Sequence, residues 1–264
     1  MRFAVALVRA VVVAAGCVCA QLPAVAADTP LRATTAIRLA TLAERIAKLH
    51  AQIGQGVLAE RSRRALAESA RDFDATLKEV AARAPTVELR DNYALLGLLW
   101  QDYRDWAMRA PTRDNARKLR SRTEEVTWIA AKGAKLVQEH ARGATSSSAV
   151  RAANAATLAQ RIAKVHLWMR WEIRDEALTQ ELREANENLR RTIEALRGSV
   201  GDSSEIATEL QSVESQVRFM DDAARALERR EGSARAIEFI AKTGDHIYES
   251  MERLARLYDA TPGL

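Results

Sequence analysis

Beyond its first 26 residues the chain has no cysteine; Cys17 and Cys19 are the only two it carries. That excludes disulfides and thiolate metal sites from the remainder. Proline is also scarce, at 5 in 264 residues, and glycine stands at 11. Sheet proteins spend both on turns, whereas here Ala, Leu, Arg and Glu dominate, which is the composition of a helical bundle. No apolar run after Ala27 is long enough to span a bilayer. The formal charge of +5 falls to +3 without Arg2 and Arg9, and it is evenly mixed along the chain. That argues against nucleic-acid binding. No nucleophile elbow, Gly-rich phosphate loop or HExxH pair occurs, so the sequence points to no catalytic centre, cofactor or metal site.

The start of the chain reads as an export signal. Arg2 supplies a short basic start, Phe3 to Ala20 is apolar apart from Arg9, and Ala24-Val25-Ala26 is an A-x-A cleavage site before Ala27. Ala15-Gly16-Cys17 is a poor lipoprotein site, because Ala14 stands where Leu is usual. The expectation is a periplasmic protein whose leader, residues 1–26, is removed.

What is present above all is a repeat. Thr41-Leu42-Ala43-Glu44-Arg45-Ile46-Ala47-Lys48-Leu49-His50 returns 116 residues later as Thr157-Leu158-Ala159-Gln160-Arg161-Ile162-Ala163-Lys164-Val165-His166. Eight of ten positions are identical. One unit has been duplicated, so the fold is read per half. Leu39, Leu42, Ile46, Leu49 and Ile53 recur at alternating steps of three and four, as do Ala155, Leu158, Ile162, Val165 and Met169. Each set makes one apolar helical stripe. Arg45 and His50 flank the first stripe, and Arg161 and His166 the second.

The remaining helices follow from their stripes. Thr29-Pro30 should open helix 1, and Gly54 and Gly56 should turn the chain into helix 2 (Leu66, Ala70, Phe73, Leu77, Val80). Thr86 should cap helix 3 (Leu89, Tyr93, Leu96, Trp100, Tyr103, Ala107); Pro111-Thr112 precedes helix 4 (Leu119, Val126, Ile129, Gly133, Leu136). Residues 143–148 are small and polar and mark a boundary that can also cap the next helix. The second half repeats the plan, with inward stripes at Leu178 to Leu196, Ile206 to Leu227 and Ile237 to Tyr258. No glycine or proline separates its first two helices. Either a turn falls near Trp171 to Asp175, or one long helix runs from about Ala149 to Leu196. The expected fold is all-α: two tandem antiparallel up-down four-helix bundles, residues 27–143 and 144–264.

Leu42 to Lys48 and Leu158 to Lys164 resemble a heptapeptide of the PilJ-type domain, the extracytoplasmic module of type IV pili methyl-accepting chemotaxis transducers. That domain is related to the nitrate-sensing domain of the NarX/NarQ histidine kinases. The resemblance implies a sensory four-helix module with a ligand held between helices. In the nitrate sensors the ligand lies between two protomers at helix 1, and an Arg five residues before the position of Arg45 contributes to binding it. Here that position is Ala40, and Ala156 in the second half. Nitrate recognition therefore does not carry over, and Arg38 would need a different geometry to take the role.

The candidate ligand-binding residues are Arg45, Arg161, Arg38, His50, His166 and Arg122. Arg45 and Arg161 offer guanidinium forks to an anion, or else pair with acids to hold the bundle. The two histidines, one per half, make no metal site alone. Arg122 takes the seam position that Ile240 fills in the second half, so it wants a partner or marks a polar cavity. Trp100, Tyr103, Trp106, Trp168 and Trp171 line a pocket or serve as core and inter-half contacts. The reading is a non-enzymatic sensory module for a small, anionic solute, working through a membrane receptor or histidine kinase. In a tandem chain Arg45 would face Arg161 across an internal pseudo-twofold axis. The alternative is a ligand-free helical adaptor of an envelope complex.

Overall fold

The computed structural model describes residues 30–201, 203–229 and 233–261. The expected leader, both cysteines and Thr29 lie outside that range. Among the described residues the regular structure is entirely helical: α1 (Ala33–Gly54), α2 (Ala59–Ala82), α3 (Val87–Ala107), α4 (Arg113–His140), α5 (Ser147–Arg170), α6 (Glu176–Arg197), α7 (Ser204–Glu228) and α8 (Ser233–Ala260). No helix there is long and apolar enough to cross a membrane.

Helix starts are set by side-chain caps. Thr86, Thr112, Ser146, Asp175 and Ser203 each accept a backbone N–H three residues ahead, at Leu89, Asn115, Ala149, Leu178 and Ile206. Each such cap stabilises its helix by about 1 kcal/mol. The expected start of α1 at Thr29-Pro30 is corrected. Arg32 holds the N-cap position without a side-chain cap, and Ala33 donates its N–H to Thr145 Oγ1 at 3.1 Å. The capping hydroxyl comes from the segment before α5, so the other half supplies what the local sequence does not.

The alternative of one long helix from Ala149 to Leu196 is overturned as well. α5 stops at Arg170 through the same turn that ends α1. Gly56 (φ 70) and Glu172 (φ 61) are both left-handed. The closing bonds match too: Val57 N donates to Gln52 O at 2.8 Å and Ile173 N to Trp168 O at 3.0 Å. A left-handed Glu costs roughly 1 kcal/mol, so the second copy makes the turn without the glycine that signals it.

Packing follows the repeat. α1 lies against α2 and α4, and α3 against α4; likewise α5 lies against α6 and α8, and α7 against α8. The outer pairs α2/α3 and α6/α7 touch far less than these. The inward stripes are buried as read, except that Ile53, Leu77, Leu136, Leu158, Met169, Leu182, Ala224 and Leu227 are only half-buried. α3 and α4 run antiparallel, as the Asn92–Ile129 and Asp102–Arg122 contacts show. α7 and α8 do the same through Phe219–Phe239 and Glu209–Arg253.

The two sets of helices join through α1 and α5. These run parallel and in register with the repeat: Thr41 and Thr157 share a hydrogen bond at 2.7 Å, and Gln55 donates to Leu167 O at 2.9 Å. A pseudo-twofold axis therefore passes between the two threonines, parallel to the helices. α8 also reaches across to α1, through Arg32–Asp259 and Lys48–Asp245.

Two glycines separate backbone from packing effects. A Cβ on Gly244 would sit 2.8 Å from Ala163 Cβ, so α8 approaches α5 closely there, whereas one on Gly97 meets only Leu77 Cδ2 at 4.0 Å. In urea unfolding, Gly97→Ala is expected to gain about 0.5–1 kcal/mol from helix propensity. Gly244→Val is expected to lose about 1–3 kcal/mol by overpacking.

Candidate functional site

The repeated decapeptides meet at the seam between α1 and α5, where Glu44, Lys48 and Lys164 are buried and Arg45 and Arg161 half-buried. Lys48 Nζ, with its side chain 0% exposed, donates to Asp245 Oδ1 of α8 at 2.5 Å. Gln160 of α5 donates to the same oxygen at 3.3 Å and to Gly244 O at 3.0 Å. Arg45 Nη1 lies 3.8 Å from Asp245 and its guanidinium 4.9 Å from the centre of the Tyr248 ring. On the other side of the axis Arg161 Nε donates to Glu44 Oε1 at 2.8 Å, and Lys164 Nζ lies 2.8 Å from Glu44 Oε2 and 3.0 Å from Glu181 of α6.

The titration behaviour follows from that geometry. Burial pushes the Glu44 carboxyl up, but Lys164 and Arg161 outweigh it and hold the group below its ordinary value. Asp245 is held down in the same way: burial raises it, and Lys48 and Arg45 overcome the rise. Lys48 goes the opposite way. Desolvation outweighs its attraction to Asp245 and lowers the amine to about 8. It remains protonated at neutral pH. Glu44 raises Arg161 above its usual value. The cluster thus holds four cations, Arg45, Lys48, Arg161 and Lys164, against three carboxylates, Glu44, Asp245 and Glu181.

The other sequence candidates are dispersed. Arg45 and Arg161 do not pair across the axis; the threonines one turn earlier occupy it. Arg38 donates to Asp72 of α2 at 3.0 Å. Arg122 is not in the seam. It is half-buried, pairs with Asp102 and lies over the Trp106 ring at 4.9 Å. Its counterpart is Phe239, which meets Phe219 edge-on in the second half. The register between the fourth helices is therefore one residue shorter than the match to Ile240 implied.

His50 and His166 are both buried, 1% and 8% exposed, and desolvation lowers each ring to about 4. Neither nitrogen of His50 makes a hydrogen bond. Among the described residues no three His, Cys, Asp or Glu side chains cluster as a metal site. The aromatics divide by role. Trp100 stacks on Phe73 at 3.9 Å and Trp168 is fully buried, whereas Trp171 lies on Gly54 and joins the halves.

Two clefts flank the seam at pseudo-equivalent places. One, about 260 Å³, lies between α1, α2, α5 and α8 and is lined by Arg38, Thr41, Ala156 and Arg256. The other, about 380 Å³, lies between α1, α4, α5 and α6 and is lined by Ala40, Thr157 and Arg161. Ala40 and Ala156 therefore each line one of the clefts. Asp245 and Glu181 were missed in the sequence. Asp245 had a signal, an acid beside Gly244 on the inward stripe of α8; Glu181 had none.

Asp245→Asn leaves the buried Lys48 amine without the acid that keeps it protonated, and is expected to cost about 3–5 kcal/mol in urea unfolding. Adding Lys48→Met should restore most of that. Equal losses in the single and double variants would rule out the pairing as the cause. The histidines predict acid sensitivity. Their rings stay neutral in the folded chain down to about pH 4, while the unfolded chain binds a proton near pH 6.5. The unfolded state binds more protons in that window, so stability falls as pH drops from about 6.5 to about 4. Urea midpoints across that range should flatten in His50→Met/His166→Met.

Comparison with known proteins adds no relative: no family model, no curated protein and no solved structure matches the chain.

Proposed function

We propose that the protein is an exported sensory module of the PilJ/NarX type, built from two copies of a four-helix up-down unit. It binds a small polar solute beside the α1/α5 seam and passes the signal to a membrane receptor or histidine kinase. The observation that carries this reading is the parallel, in-register pairing of α1 with α5. The chain folds two first helices against each other as two protomers of a symmetric sensor would. The heptapeptide Leu42–Lys48, its copy, and the leader-like start support it. The open clefts beside Ala40 and Ala156 supply places for the solute.

One observation favours a second reading, a ligand-free helical adaptor of an envelope complex. The repeat's charged residues pair largely with acids of the same chain, so the motif also serves as a staple between the halves.

Thermal-shift screening of the purified protein against small acids, oxyanions and neutral polyols at millimolar concentration separates the readings. A solute at 100 times its Kd adds about 2.7 kcal/mol. For a chain of this size that is on the order of 5–10 °C in Tm. No shift with any solute, together with stoichiometric capture of one envelope protein, selects the adaptor.

A further inference from the structure

We infer that the cleft between α1, α4, α5 and α6 is a binding site for a small hydroxylated carboxylate, of the sugar-acid or hydroxy-acid kind. This rests on the ligand-binding reading above and names its site and ligand class.

The charge of the lining comes first. Lys135 of α4 and Arg161 of α5 border the cleft, and no carboxylate lines it. Arg161 is anchored from behind: its Nε donates to buried Glu44, while neither Nη nitrogen donates a hydrogen bond among the described residues. The side chain is 29% exposed. A guanidinium fixed by one edge leaves its fork free for a bidentate acceptor, which a carboxylate matches. Lys135 is held only by a 3.8 Å contact to Glu139 one turn on, with its side chain 77% exposed. It is free to swing over an anion at the rim.

The polar walls come second. Asn154, Asn188 and Thr192 line the same cleft, offering donors and acceptors suited to hydroxyl groups. Thr127 also lines it; the residue is 5% exposed, and its Oγ1 is buried without a hydrogen-bond partner. A buried hydroxyl left unsatisfied is destabilising, and a ligand hydroxyl would supply the missing partner. Size comes third. About 380 Å³ lies at the lower end of small-molecule sites, and suits an acid of a few carbons with its bridging waters.

The pseudo-equivalent cleft is the internal comparison. It has Arg38 and Arg256, but Glu79, Glu252 and Asp259 line it as well. Three acids against two arginines disfavour an anion. The same fold position has thus been tuned for opposite charge in the two copies, and only the α4/α6 side accepts a carboxylate.

The test is calorimetric titration of the purified protein with gluconate and with tartrate, using the neutral polyol sorbitol for contrast. Gluconate or tartrate should bind and sorbitol should not. Lys135→Gln, at an exposed position, and Thr127→Val, of matching volume, should each weaken binding at least tenfold, the first without moving the urea midpoint and the second without lowering it, since it removes an unsatisfied buried hydroxyl. Arg256→Gln, in the opposite cleft, should leave binding unchanged. Binding abolished by Arg256→Gln and untouched by the other two overturns this site while leaving the sensory reading standing. Sorbitol binding as well as the acids do overturns the ligand class. No binding by any solute here or in the thermal-shift screen overturns both.

Discussion

Seven ionised side chains gathered between four helices, four of them buried, set the terms for everything else in this molecule. Lys48 and Lys164 are sealed from water, and each has its carboxylate within 3 Å. Such pairs add little to stability compared with well-packed apolar residues, because desolvation consumes most of the attraction. What they add is selectivity. A shift of one residue between α1 and α5, or between α1 and α8, would leave a lysine facing hydrocarbon. Apolar stripes built from so much Ala and Leu tolerate several registers; buried charges tolerate one.

The cluster also breaks the symmetry of the duplication. Glu44 and Gln160 occupy the same place in the two copies, yet one accepts from Arg161 and the other donates to Asp245. Each buried lysine needs one acid, and the halves draw theirs from different helices: α8 for Lys48, α1 and α6 for Lys164. A change that keeps side-chain size therefore decides which helix neutralises which cation. The two clefts differ in charge separately, through Glu79, Glu252 and Asp259, which line only one of them.

Much of the fold could be read from the sequence, for a physical reason. Helix stripes such as Leu89 to Ala107 are written in one-dimensional periodicity, and hydroxyl caps such as Thr86 and Ser146 sit next to the helices they start. The repeat foretold two like units, though not how they would pack. The turn near Trp171 to Asp175 could be placed only by analogy with the first copy, because Glu172 takes the left-handed geometry of Gly56 without its residue. Two features escaped. The start of α1 is capped by Thr145, more than a hundred positions away. The site is the second: Arg45, Arg161 and the two histidines stood out because they recur, but their partners Asp245 and Glu181 do not. Repetition reveals what the copies share, and this cluster depends on what they do not. Arg122 misled through a register one residue off, which periodicity alone cannot fix.

The close approach at Gly244 bears on how the molecule can move. Gly244 presses α8 onto α5, and the next residue, Asp245, holds the amine of α1. Axial sliding of α8 by a fraction of a turn would strand that amine and drive α8 into Ala163. The piston stroke is therefore closed to this trio, which behaves as a stiff spine. Compliance is left to the periphery, where α2 meets α3 and α6 meets α7 thinly, and where pairs such as Arg190–Asp221 and Arg197–Glu214 face solvent. A conformational response would take the form of those outer helices hinging against a fixed axle.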